Sequence, residues 1–344
     1  MNLETLDKIS LNFIVGSGRS GTTLLVYIFN QNKYCVASPE IKHFLHFYKK
    51  YKNVTHVTQK LIDDYGLYLK TYYQDKKLFM SPNADAALKM LKIGSEINYT
   101  RLTKLIYFCL TEEKQDIHRI NVIIDKNPYY TFYLKKIMSY FPDSKVVFMV
   151  RDYRAFILSN RQSQKKNMKI LSVSYYALIW NLFLKKAIRA QKEHAKRLIF
   201  VKYEDLVTAK EETVEIIANY FNLSYSLEML NFYETIKESL KDKQLSNIQL
   251  ERAIKKISDL SKPINTSRLN AWQSELQPSE QKIANFICGN YATQVGYQNQ
   301  RFNFSISFKF YVYILSLPAR IRICIFLIFD NPKLKFYFDT RKIK

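Results

Sequence analysis

The chain has 344 residues, 47% hydrophobic and 24% charged, a globular balance that excludes wholesale disorder. Its 53 basic residues against 30 acidic ones leave a formal charge of +23, which predicts polyanionic company: nucleotide, nucleic acid, acidic glycan or anionic membrane. Only seven glycines are present, and three of them (Gly16, Gly18 and Gly21) fall within six residues.

At the N-terminus, acids precede a short apolar run, Leu11–Val15. A signal peptide has the opposite order, basic then apolar over a longer stretch, so none is expected and a cytoplasmic location follows as the expectation. The run stops at Gly16, and Thr23–Asn30 (TLLVYIFN) then has apolar residues on every side, which predicts strand, glycine-rich turn and buried helix. Val122–Asp125, Lys145–Val150 and Leu198–Lys202 read as further buried strands. Helices are expected over Tyr129–Tyr140 and Ala209–Phe221. Alternation of this kind predicts an α/β fold, a P-loop-type parallel sheet flanked by helices with ligands at the carboxyl ends of the strands.

The stretches 49–116 and 226–262 are polar and helical in pattern, and are expected as helical insertions within one domain over 1–300. Segment 301–344 changes character, with nine cations against two acids. The four cysteines (Cys35, Cys109, Cys288, Cys324) form no CxxC pair and fit reduced thiols.

Gly16-Ser17-Gly18-Arg19-Ser20-Gly21-Thr22-Thr23 lies between the first strand and the first helix, where backbone N–H groups and the helix start make a nest for phosphate oxygens. The spacing matches a nucleotide P-loop except that Thr22 stands at the lysine position and the cation comes earlier, at Arg19. Without that lysine, hydrolysis of ATP or GTP is disfavoured. A second cluster has Arg151 at a strand end and Ser159 eight residues on, about two helical turns later, a pair suited to a second phosphate.

With these elements in place the chain resembles sulfotransferases that use 3′-phosphoadenosine 5′-phosphosulfate, in pattern nearest to the tyrosylprotein and carbohydrate branch. Gly16–Thr23 resembles that family's 5′-phosphosulfate loop, while Arg151 and Ser159 match its 3′-phosphate motif. Asp125-Lys126-Asn127-Pro128 resembles its [D/E/N]-K-x-P element, and Val201–Leu206 its Y-E-D-L element. The ordered set extends from Phe13 to about Tyr297.

The resemblance implies that Gly18, Arg19, Ser20, Gly21, Thr22, Thr23, Arg151, Ser159, Tyr203 and Arg268 bind the donor, with Arg268 in a late [S/T]-x-R-x-x-x-W type of element. That element departs from the commoner form, because Gln273 follows Trp272 where a basic residue is usual, and Trp272 suits core packing as well as stacking. Glu40 lies 21 positions after Arg19, where the tyrosylprotein branch places its catalytic base, and Lys42 falls on a basic position. A helix-start glutamate after Pro39 is the competing reading for Glu40. Lys126 is implied to stabilise the transferring group and Arg19 to neutralise charge on the bridging phosphate oxygen. No metal is expected. His43 and His46, at i,i+3 with no third ligand, read as surface or core histidines.

The expected reaction is sulfonate transfer to a hydroxyl acceptor: a glycan, glycolipid or small molecule, with tyrosine in a peptide as the alternative. A P-loop kinase or nucleoside triphosphatase explains only the glycine loop. A nucleic-acid binder explains the charge, but the Lys-Lys pairs are dispersed and no RNP, KH or zinc-finger pattern accompanies them. Phe310–Phe329 is long enough to span a bilayer at about 20 residues. However, Pro318, Arg320 and Arg322 stand in its middle. The segment therefore suits attachment to the inner face of an anionic membrane, near a lipid-linked acceptor. A C-terminal helix packed on the domain is the competing reading.

Overall fold

The computed structural model describes residues 3–38, 40, 43–76, 89–108, 117–165, 172–241, 260–298 and 303–329. Five strands form one sheet: β1 (Ser10–Gly16), β2 (Cys35–Ser38), β3 (Val122–Lys126), β4 (Val146–Val150) and β5 (Leu198–Lys202). All neighbours are parallel, in the order β2-β3-β1-β4-β5. Strands β3 and β4 are buried at every residue, as a parallel sheet covered on both faces requires.

Side-chain alternation divides the core. Phe13, Val15, Ile123 and Phe148 face one side, packed by α2 (His43–Tyr51), α3 (Gln59–Lys76), α4 (Tyr99–Phe108), α5 (Leu134–Tyr140), α6 (Tyr153–Lys165) and α7 (Val173–Glu193). Ile14, Ile124, Val147 and Met149 face the other, against α1 (Thr22–Phe29), α8 (Tyr203–Thr208), α9 (Lys210–Tyr220) and α10 (Phe232–Lys241). The C-terminal helices are α11 (Ala271–Glu275), α12 (Pro278–Gln294) and α13 (Ile306–Phe329).

The strands and helices expected along the chain are present, with two refinements. Tyr129–Tyr140 splits into a 3-10 turn, Pro128–Tyr133, and α5. Asn127 caps the turn by accepting from the Tyr129 N–H at 3.1 Å, and Thr131 is held under the β1 end by donating to the Gly16 carbonyl. The stretch 49–116 holds α3 and α4 but also one antiparallel bridge between His56 and Glu96, while 77–88 and 109–116 lie outside the described residues. Most of 242–262 does too. The ring of His46 lies 4.7 Å from that of Tyr68, and burial lowers its pKa, so it is a packed histidine.

Strand β2 was not expected, because Cys-Val-Ala-Ser is short and weakly patterned. Its outer edge is satisfied by a side chain: Asn30, just past α1, donates to the Ala37 carbonyl at 2.9 Å and accepts from the Ala37 N–H at 2.7 Å. The amide stands in for a sixth strand. Asn30→Ala should therefore destabilise the fold by about 1–3 kcal/mol, the cost of leaving these peptide groups unpaired, read as a lower urea midpoint.

Candidate active site

The glycine loop takes its shape from left-handed backbone at Gly18 (φ 71°), Arg19 (φ 51°) and Gly21 (φ 81°). A Cβ at Gly21 would come within 2.6 Å of the Tyr203 ring, so both conformation and contact demand glycine. A Cβ at Gly18 would meet nothing within 4 Å; there the backbone stands clear. Ser17 Oγ and Ser20 Oγ lie 2.7 Å apart, and Ser20 donates to the Gly18 carbonyl at 3.0 Å, fixing the turn ahead of Thr22 and Thr23. Consecutive N–H groups in such a turn, opening onto a helix start, form an anion cradle.

Arg19 and Arg151 lock this loop to the neighbouring strand. Arg151 follows the last residue of β4, and its Nη1 donates to the Arg19 carbonyl at 3.2 Å. Arg19 Nε donates to Ser159 Oγ on α6 at 3.2 Å. The Arg151 guanidinium also lies 4.4 Å from the Tyr203 ring centroid, and its own carbonyl accepts from Trp180 Nε1 at 2.9 Å. Burial holds the Arg151 pKa below the usual guanidinium range, and its Nε is buried without a hydrogen-bond partner.

The arginines around this pair are all matched by acids. Arg154 is bidentate to Asp152, Arg161 pairs with Glu280 at 2.5 Å, and Arg268 pairs with Glu275 at 2.6 Å. Among the described residues no carboxylate lies within ion-pair distance of Arg19 or Arg151. That contrast sets Arg19 and Arg151 apart from their neighbours.

Across the loop, Lys126 at the end of β3 donates to Thr23 Oγ1 at 3.2 Å and to Glu40 Oε1 at 3.0 Å. The lysine side chain is 3% exposed and the glutamate 56%, so the pair joins a buried ammonium to a carboxylate open to solvent. Beneath them Asp125 is fully buried; Tyr107 of α4 donates to its Oδ2, and its Oδ1 has no partner. Burial, reinforced by the Glu40 charge, pushes the Asp125 pKa up to about 8.

The sequence-derived site residues thus converge, with two exceptions in degree. Arg268 is engaged by Glu275 and by Gln162 at 3.1 Å, one turn along α6 from Ser159, and makes no contact with the glycine loop. Trp272 is buried against the Arg154 guanidinium at 3.8 Å, which favours the packing reading. Lys42 and Pro39 lie outside the described residues. Sequence reasoning missed Tyr107, Trp180 and the Glu204 tie. Glu204 accepts from the Asp152 N–H at 3.1 Å and the Tyr297 hydroxyl at 2.6 Å, joining the ends of β4, β5 and α12; burial raises its pKa. Glu204 was visible within the Y-E-D-L element, whereas nothing in the sequence pairs Tyr107 with Asp125.

A model described as the sulfotransferase family matches residues 12–227. A putative protein-tyrosine sulfotransferase of Caenorhabditis briggsae is 29% identical over 154 residues, 44% of this chain and 51% of that protein. Protein-tyrosine sulfotransferase 1 of Danio rerio is 24% identical over 159 residues, 45% of this chain and 43% of that one. The chain spans about half the length of these curated relatives. In fold it is similar to the sulfotransferase domain of the Synechococcus PCC 7002 olefin synthase, with TM-score 0.52 and 19% identity over 85% of this chain and 96% of that one. The sulfotransferase domain from the curacin biosynthetic pathway gives TM-score 0.52 and 18% identity, over 85% and 99%.

Asp125 generates a pH prediction. Its carboxyl keeps a proton in the folded chain up to about pH 8, while the unfolded chain releases it near pH 3.9. The folded state therefore binds more protons across that window, and this group's contribution to stability is lost as pH rises through it. Asp125→Asn removes the titration. Its stability relative to the native chain should increase between about pH 4 and about pH 8 and level off above, measured by thermal unfolding across a pH series.

Proposed function

We propose, since the chain belongs to the sulfotransferase family, that it transfers a sulfonate group from 3′-phosphoadenosine 5′-phosphosulfate to a hydroxyl acceptor on a glycan, glycolipid or small molecule. The observation that carries this reading is the pair of arginines without carboxylates, Arg19 and Arg151, joined to the glycine loop and to Ser159. The orphaned Arg151 Nε and the open space at Gly18 fit a ligand with anionic groups at both ends. Bound there, the donor would supply the activated sulfonate.

The chain's own residues supply positioning and charge. Gly18, Ser20, Gly21, Thr22 and Thr23 would hold the 5′ end, Arg151 and Ser159 the 3′-phosphate, and Tyr203 the space between, while Arg268 would join them only by leaving Glu275. Glu40, exposed and 3.0 Å from Lys126, would take the proton of the acceptor hydroxyl as that oxygen displaces the donor in line at sulfur. Arg19 and Lys126 would meet the negative charge that develops, electrostatic work requiring no covalent intermediate with the protein. A cytoplasmic setting belongs to this reading, and the free thiols of Cys35, Cys288 and Cys324 fit a reducing compartment.

A tyrosine hydroxyl in a peptide is the second reading. It is favoured by the names of the curated relatives, protein-tyrosine sulfotransferases from Caenorhabditis and Danio rerio. Turnover of a tyrosine peptide compared with sugar and small-alcohol acceptors decides between the two.

Calorimetry with 3′-phosphoadenosine 5′-phosphate should show binding that ATP with magnesium does not reproduce. Arg19→Ala and Ser159→Ala should each weaken it, the arginine change by about 1.5–3 kcal/mol, the worth of a charge-assisted contact. Unchanged affinity in folded variants at both positions removes the donor-site assignment.

Glu40→Gln should leave donor affinity intact and lower turnover on the natural acceptor by roughly a hundredfold or more. Near-normal turnover in that variant would assign the base elsewhere.

A further inference from the structure

Helix α13 has two unlike faces. Val312, Ser316, Ala319 and Ile323, spaced as one helical stripe, are buried on the side that packs the helix against the domain. Roughly opposite them, Phe310, Ile314, Leu317, Ile321 and Ile325 form a second stripe at the same spacing, and all five are exposed. Phe310 is 65% exposed and Ile321 58%, values usual for polar surface residues rather than large apolar ones. A contiguous row of this kind marks an interaction surface.

The flanks of the stripe indicate what covers it. Lys309, Tyr313 and Arg320 lie along one shoulder, Tyr311 and Arg322 along the other, and 303–329 contains no acid. The Arg320 guanidinium sits 5.2 Å from the Tyr313 ring. Aromatic rings and cations bordering an apolar stripe match a helix lying in the headgroup plane, with rings at the boundary and cations among phosphates. A second copy of this chain would bring the same unneutralised cations against each other. Among the described residues no helix is long and apolar enough to cross a membrane.

We propose that α13 docks the protein on an anionic lipid bilayer, with the Phe310–Ile325 stripe inserted at the acyl boundary and Lys309, Arg320 and Arg322 on lipid phosphates. The surface uses none of the residues assigned to sulfonate transfer, so its test stands apart from that reading.

The test is flotation of the full chain with vesicles of phosphatidylcholine alone and of phosphatidylcholine mixed with phosphatidylglycerol. The native chain should float with the anionic vesicles, less at raised salt, and weakly with the neutral ones. The double variant I314E/I321E changes only exposed side chains, so its thermal melting should be unaltered while its partition falls tenfold or more. Leucine at both positions should restore binding. R320Q and R322Q should each lower partition onto anionic vesicles about fivefold, the worth of roughly one surface cation. Failure of the native chain to float would overturn the proposal, as would equal flotation of I314E/I321E. Sedimentation showing a native dimer that the glutamates dissociate, without any vesicle binding, would assign the stripe to a second copy instead.

Discussion

The site rests on one geometric constraint, the parallel alignment of all five strands. Parallel neighbours cannot be joined by hairpins, so each strand must be followed by a long crossover, and every carboxyl end falls on the same edge of the sheet. At a strand spacing of about 4.8 Å, five such ends lie within roughly 20 Å. Gly16 leads into the loop, Ser38 into Glu40, β3 ends on Lys126, β4 on Val150 before Arg151, and β5 on Lys202 before Tyr203. Arg19 and Arg151, 132 positions apart in sequence, are thus neighbours because β1 pairs with β4, and Lys126 reaches Thr23 because β1 pairs with β3 on its other side. The loop after β1 sits where the chain reverses its direction of travel across the sheet, the position at which such folds bind ligands.

Within that edge Arg151 ties the pieces together at some electrostatic cost. Its backbone carbonyl is fixed by Trp180, its Nη1 holds the Arg19 carbonyl, and its guanidinium lies against Tyr203. A buried cation with an unpartnered Nε is unfavourable in isolation. Acids are available nearby, but Asp152, Glu275 and Glu280 are each held by a different arginine. Under the donor-site reading proposed above, the counter-charge that Arg151 lacks in the protein would come from the ligand.

Much of this was legible in the sequence because strand ends carry strong local signals. Glycines requiring left-handed backbone, apolar runs that stop abruptly, and a cation just beyond them single out Gly16–Thr23, Lys126 and Arg151, which the fold brings together at one edge of the sheet. What stayed hidden depends on contacts that no local pattern encodes. Strand β2 is four residues long, and its outer edge is satisfied by a side-chain amide from Asn30, seven residues earlier. Tyr107 is one of many tyrosines in a helix whose burial pattern would suit any large side chain, so its bond to Asp125 follows only from tertiary packing. Arg268 was placed by a motif that constrains chain order but not rotamer, and the local acid Glu275 captures it.

The alternation of a strand also explains how adjacent Asp125 and Lys126 can serve opposite ends. Successive side chains leave β3 on opposite faces, sending Asp125 toward Tyr107 on the α4 side and Lys126 toward Thr23 on the α1 side. Were Asp125 ionised at neutral pH, it would be a fixed counter-ion beside Lys126 that no acceptor could remove. Burial keeps it protonated, up to about pH 8, so the carboxylate that Lys126 meets directly is Glu40. An ion pair with one partner more than half exposed is weak, because solvent screens it and the carboxylate retains most of its hydration. Such a pair can hold both groups in place in the free protein and still open when a hydroxyl comes between them. The buried carboxyl of Asp125, held by Tyr107, therefore leaves Glu40 at the open edge of the sheet as the carboxylate that faces Lys126.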